Sequence, residues 1–221
     1  PDRPIPMTDP NSLSLDDATR ALIGLAAAIA QGEEPEVRNR IAEATAQSVP
    51  SAWVDELLLQ SVLMVGWPRT LVAASLWRAA VPTLSDGADQ DLDASAHAEW
   101  AARGEATCRI VYGDNYRKLR QNVALLHPAL DQWMVTEGYG RTLSRPGLDL
   151  LRRELCVVAQ TAVLDTPRQL HSHLRGALNA GASFAQVEGA LMVVNPFLSY
   201  DDFKRVKELW ESVRDSWSPL V

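Results

Sequence analysis

"RRELCVVAQTAVLDTPRQLHSHLRGALNAGAS", Arg152 to Ser183, spells two helices and the turn between them. Apolar residues recur at helical spacing from Leu148 to Leu164. "DTPRQ" then reads as a helix start, with Thr166 as N-cap, Pro167 at the first helical position and Gln169 completing a capping box. The new helix carries Leu170, Leu174, Ala177 and Leu178 as one stripe and stops at "NAG", where Gly181 suits a left-handed C-cap. Ser183 and Gln186 make a second capping box before "VEGALMVV". Asn195–Pro196 ends that helix, and a last one runs from about Asp201 to Trp217. No period-2 strand pattern occurs along the chain, so the fold class expected is all-α.

Sliding the sequence by 133 positions aligns Leu15–Trp77 with Leu148–Trp210 without a gap. Identical pairs include Leu15/Leu148, Asp16/Asp149, Arg20/Arg153, Ala44/Ala177, Val54/Val187 and Trp77/Trp210. The expectation is a duplicated helical unit of three or four helices. It divides the chain into an extended N-terminal arm (1–12), a first, degenerate repeat (13–82), a polar linker (83–93) and a second repeat with lead-in helices (94–221). In the lead-in, His97 reads as a solvated residue and His127, before Pro128, as a turn residue.

Bulk properties narrow the function. A 221-residue chain can bury a sizeable core. The net charge of −7 without a Lys/Arg cluster argues against a nucleic-acid or anionic-membrane partner. Apolar runs fall short of the roughly 18 residues of a membrane span, the longest being broken by Gly66 and Pro68. The start lacks a basic-then-apolar export pattern. Cys108 and Cys156 are too far apart in sequence to suggest a disulfide framework or a cysteine-rich zinc site. A cytoplasmic location is the expectation.

Chemistry concentrates in the second copy. On a helix, Glu154 has Leu150, Leu151, Val157 and Val158 as neighbours. Desolvation of such a carboxylate favours its neutral form, the usual route to a glutamate acid or base near neutral pH. The bland alternative is a salt bridge with an arginine. His171 and His173 diverge by about 200° on a helix, so they cannot chelate one metal together, and no metal site is expected. They flank the apolar stripe on opposite sides, and the angles alone leave open which of them faces Glu154. At the 133-residue offset Glu154 falls on Ala21, His171 on Arg38 and His173 on Arg40. A demand of the fold would act on both copies, whereas these groups occur in one.

"RTLSRPGLDLLRREL…HLRGALNAGAS" (Arg141–Ser183), with the lead-in "RGEATCRIVYG", resembles the carboxymuconolactone decarboxylase family. The resemblance covers about Arg103–Trp210, and the two-unit arrangement is similar to the alkylhydroperoxidase-D-like branch. That branch uses a glutamate, a CxxC pair and a histidine, which fall here on Glu154, Thr166, Gln169 and His173. Without the cysteines there is neither peroxide nucleophile nor resolving thiol. Cys156 is expected in the core.

The decarboxylase side of the family then implies a cofactor-independent decarboxylase, or decarboxylating isomerase, of a small carboxylated lactone or keto-acid. His173 would supply the proton or polarise the carbonyl, with Glu154 orienting it. Arg145 and Arg175 would hold the substrate carboxylate, with His171 and Tyr139 as further substrate-binding residues. For Arg145, in the "RPG" turn, a helix-start salt bridge is an equal alternative. The resemblance also implies a homo-oligomer, such as a trimer of two-unit chains imitating a six-unit ring. The competing readings are a non-catalytic binding or assembly protein that retains the fold and, in third place, a thiol-dependent redox enzyme.

Overall fold

A computed structural model describes residues 15–82 and 89–218, apart from the side chains of Gln90 and Ala94. The arm expected at 1–12 and the linker residues 83–88 lie outside the described residues. Every regular element among the described residues is helical. The first copy contains α1 (Asp17–Gln31), α2 (Glu34–Ala46) and α3 (Ser51–Ala80). A lead-in follows: α4 (His97–Tyr112), α5 (Tyr116–Leu126), α6 (Pro128–Trp133) and a π-helical segment, Met134–Leu143. The second copy contains α7 (Leu150–Val163), α8 (Pro167–Asn179), α9 (Phe184–Val194) and α10 (Tyr200–Ser216).

The duplication is written in the bonds. Shifted by 133, α2 coincides with α8, and α1 with α7 to within a residue. Asp16 caps α1 by accepting from the Thr19 N–H at 2.7 Å, and Asp149 caps α7 by accepting from the Arg152 N–H at 3.0 Å. The Val49 N–H donates to the Ala44 carbonyl at 2.9 Å, as the Ala182 N–H does to Ala177. Trp77 Nε1 donates to Asp55 at 2.9 Å, and Trp210 Nε1 to Glu188 at 3.1 Å. Each of these pairs is related by the same shift. In the first copy α3 stands where α9 and α10 stand in the second, with Gly66 (φ 72°, ψ 174°) marking the break between its halves. By length and composition α3 is long and apolar enough to cross a membrane, contrary to the sequence expectation, with a third of its apolar window buried.

The centre of the fold is α1 packed on α7. A helix apolar all round belongs in an interior, and Ala21–Ala30 and Arg153–Ala162 are buried without interruption. Each central helix also packs against the α3-type helix of the other copy, α1 on α9 and α7 on α3. Neither copy buries its own apolar face alone.

Arg153, 0% exposed, stitches α7 to α3. Its guanidinium donates to Glu56 at 2.7 Å, to Gln60 at 3.2 Å and to the Leu148 and Arg145 carbonyls at 3.0 Å. Burial pulls its pKa below the ordinary arginine value despite Glu56. Its counterpart Arg20 is exposed and donates to the Leu15 carbonyl, the counterpart of Leu148. Glu56 corresponds to Gly189, so the buried ion pair exists once.

The lead-in packs α4 along the π-helical segment, backbone to backbone. A Cβ on Gly104 would run into the Val135 carbonyl, and one on Gly140 into the Trp100 carbonyl. Only glycine permits this approach. It builds a satellite core of Cys108, Val111, Tyr116, Tyr139 and Leu143 beside the main one. His127 does cap a helix at a turn, its Nδ1 accepting from the Ala129 N–H, and His97 is exposed at the start of α4.

One local expectation is corrected. Thr166 is the N-cap of α8 and Pro167 its first residue, but no capping box forms with Gln169. The Thr166 hydroxyl instead donates back to the Thr161 carbonyl at 3.1 Å, which satisfies the last turn of α7. The start of α9 does carry the full box between Ser183 and Gln186.

Candidate active site

Glu154 points from α7 into the junction of α4 and α8 and is 0% exposed. His173, 6% exposed, comes from α8, and its Nδ1 lies 2.8 Å from Glu154 Oε2. The other carboxylate oxygen, Oε1, is buried without a hydrogen-bond partner among the described residues. A buried carboxylate with one satisfied and one orphan oxygen is costly, on the order of 1–3 kcal/mol for the orphan. Such a group persists where something other than stability selects it. The contact fixes the imidazole ring and holds a proton between the two groups.

Gly176 makes room for the pair. A Cβ there would collide with Glu154 Oε2 and crowd Val111. The first copy has no such room: Glu43 occupies the position of Gly176, and Arg40, in place of His173, pairs with Glu36 and Glu43 at 2.8 Å. Where the second copy buries an acid and an imidazole, the first builds a half-exposed ion cluster.

Beside the pair, between α4, α5 and α8, opens a cavity of about 380 Å³, a volume suited to a small ligand. His171 and Arg175 line it from α8 and Lys118 from α5, with Tyr112, Asn115 and Asn179 completing its polar walls. Among the described residues no acidic side chain lines it, in a chain of net charge −7. Neither Arg175 nor Lys118 forms an ion pair among the described residues. Burial and then the charge of Arg175 lower the pKa of His171. Asn179 fixes the rim by donating to the Val111 carbonyl at 2.9 Å and accepting from Trp217 Nε1 at 3.2 Å.

The structure sorts the residues singled out in the sequence. It brings Glu154 and His173 together and places His171 and Arg175 on the cavity wall. Tyr139 does not reach the cavity. It is buried behind Tyr112, ring against ring at 6.1 Å and 78°. Arg145 is elsewhere, its guanidinium committed to Glu56, Asp89 and Asp91 at 2.8–3.2 Å, so the salt-bridge alternative describes it. Burial opposes the charge of Arg145, but Asp89 and Glu56 outweigh it and hold its pKa above the ordinary arginine value. Among the residues at the site that sequence reasoning missed are Tyr112, Gly176 and Lys118.

Cys108 and Cys156 are both free and buried. Burial pushes each thiol up to about 12, away from the thiolate that peroxide chemistry requires. Among the described residues no group of three His, Cys, Asp or Glu side chains has metal-binding geometry.

With the two-copy bundle and the Glu154–His173 pair in place, comparison with known proteins is decisive. The model of the carboxymuconolactone decarboxylase family matches residues 12–79 and 128–211, more than half of the chain and one segment in each copy. The chain belongs to the carboxymuconolactone decarboxylase family. Among curated proteins it is similar to "Peroxisomal protein 2" of Schizosaccharomyces pombe, 28% identical over 141 residues. The match takes in 61% of this chain and 63% of the length of that relative.

Proposed function

We propose that this member of the carboxymuconolactone decarboxylase family is a cofactor-independent decarboxylase, or decarboxylating isomerase, of a small carboxylated lactone or keto-acid. The observation that carries the reading is the buried Glu154–His173 contact beside a cavity whose charged groups are all basic. Arg175, with His171, would hold a carboxylate of the substrate. The C–CO2⁻ bond breaks, its electron pair moves through the conjugated system onto the carbonyl oxygen, and CO2 departs. The resulting dienolate takes up one proton, drawn from the His173–Glu154 pair and restored from water.

In the cell, the two unpaired thiols fit a reducing compartment, taken as the cytoplasm. The fission-yeast relative's name raises the peroxisome as the alternative. The partners proposed are a small-molecule substrate and further copies of the chain, in a trimer. Nucleic acid and membrane are not proposed as partners.

A panel of carboxylated γ-lactones and keto-acids, followed by CO2 release, tests the activity. Glu154→Gln and His173→Ala should lower turnover at least a hundredfold while the far-ultraviolet dichroism stays helical. Full activity in both variants would sink the reading. A wild-type chain that releases no CO2 from any member but binds them would favour a binding protein that keeps the fold.

A further inference from the structure

His173 poses a geometric problem for the chemistry just proposed, because it is buried in the interior and is not a wall of the cavity. Val111, Tyr112 and Leu119 lie both on the cavity wall and at the satellite core, and of the three only Tyr112 carries a polar group. Tyr112 ends α4, lines the cavity, and packs against the satellite core that holds Cys108 and Tyr139. Its ring is held edge-on against Tyr139, centroids 6.1 Å apart at 78°. Arg175 and Lys118 sit on the walls contributed by α8 and α5, across from the end of α4.

We propose that Tyr112 is a catalytic residue whose hydroxyl donates a hydrogen bond to the ligand oxygen on which negative charge gathers, the enolate oxygen of a planar, carboxylate-bearing ligand anchored by Arg175. This rests on the reading of the cavity as the substrate site. A donor aimed at developing charge must remain a neutral phenol at the working pH. Burial first, and then the charge of Glu154, push Tyr112 up to about 12, so it keeps its proton at neutral pH. A donor held in place by packing is worth more than one in bulk solvent, which would have to be oriented at the moment of reaction. Tyr139, buried and without access to the cavity, acts as a positioning residue by fixing the Tyr112 ring. His173 is thereby relieved of polarising the carbonyl and retains its part as proton reservoir with Glu154. No bond to Tyr112 is made or broken in the step.

A coloured enolate mimic tests this without requiring turnover. The probe is 4-hydroxy-3-nitrobenzoate at pH 8, a planar dianion with a carboxylate at one end and a phenolate at the other. The wild-type chain should bind it and move the phenolate absorption band to shorter wavelength, as a hydrogen bond to the phenolate oxygen does. Tyr112→Phe should abolish that shift and weaken binding at least tenfold. Arg175→Gln should weaken binding but leave the shift of the bound probe in place. Should Tyr112→Phe fail to fold, replacing the chain's four tyrosines with 3-fluorotyrosine gives a stronger donor and should move the band further. The proposal is overturned if Tyr112→Phe keeps both shift and affinity, if fluorination leaves the band in place, or if the wild type binds no probe at millimolar concentration. A chain that shows the Tyr112-dependent shift but releases no CO2 from the lactone and keto-acid panel would retain this assignment and lose the decarboxylase reading.

Discussion

Gly176 and Glu154 occupy the same space: the carboxylate oxygen that meets His173 fills the volume where a side chain on Gly176 would begin. A glycine inside a helix costs up to about 1 kcal/mol relative to alanine. Here its absence of a side chain is what admits a carboxyl group to the interior.

Gly176→Ala therefore gains helix propensity and loses the site. The added methyl forces both the Glu154 carboxylate and Val111 to move, with an overpacking cost of about 1–3 kcal/mol. Turnover should fall at least tenfold, and the urea midpoint should drop instead of rising by the amount alanine brings to an exposed helix. A variant as stable and active as the wild type would show that the close approach is not maintained in solution.

Much of this was legible in the sequence, for reasons that differ by residue. The duplication was legible because a gapless shift of 133 carries caps, turn and tryptophan together, and these are the places where backbone geometry demands a residue type. The angles could not choose between His171 and His173, which flank the stripe symmetrically. The signal that separates them is Gly176, three residues from His173 on the same flank, while Arg175 shares a flank with His171. A glycine beside one histidine marks where the neighbouring helix comes closest, and a cation beside the other marks the open side. Tyr112 left no such mark, because its place depends on α4 lying along a π-helical segment some thirty residues later in the chain. Tyr139 was assigned to the cavity since its tyrosine partner in front of it could not be foreseen. Thr166 fits a capping box by composition, but its hydroxyl found a nearer acceptor in the preceding helix.

Arg153 and Arg145 should act on stability and leave the cavity alone. Arg153→Met strands the Gln60 side-chain oxygen and leaves Glu56 with one arginine, so the cost should be about 3–5 kcal/mol in urea titration. Arg145→Gln removes one partner from each of Glu56, Asp89 and Asp91 and should lower the midpoint by a smaller amount. In Arg145→Gln the affinity for 4-hydroxy-3-nitrobenzoate should stay within twofold of wild type. A tenfold loss would restore Arg145 to the binding site.

Stability should decline on the alkaline side. Burial raises Cys108 and Cys156 to about 12, whereas an unfolded thiol titrates near 8.5. A group raised in the folded state lends its stability in full below the unfolded pKa, and that stability is lost as pH rises through the window from about 8.5 to 12. For one fully buried thiol the loss between pH 7 and pH 10 is about 2 kcal/mol. Cys156→Val, which places a β-branched residue where the first copy has Ile23, should flatten the pH dependence of the urea midpoint by about that amount. Native protein should also resist thiol reagents at pH 8 until denaturant is added, and rapid labelling of either cysteine would contradict the burial.

The outer face of α3 is where copies of the chain should meet. Leu59, Leu63, Trp67 and Leu71 are spaced by four residues on either side of Gly66 and are 38–65% exposed. Fully burying a leucine is worth about 1.5–3 kcal/mol, so four large side chains left in water are a standing incentive to association. The counterpart face of the second copy does not repeat them: Leu59, Leu63, Trp67 and Leu71 correspond to Met192, Pro196, Tyr200 and Lys204. An interface built on α3 alone joins each chain through its first copy and leaves the second copy's site unobstructed. Leu63→Glu combined with Trp67→Glu should convert the sedimenting species to a single chain without loss of probe binding. A wild-type chain that sediments as a monomer and floats with lipid vesicles would instead assign the same apolar helix to a membrane surface.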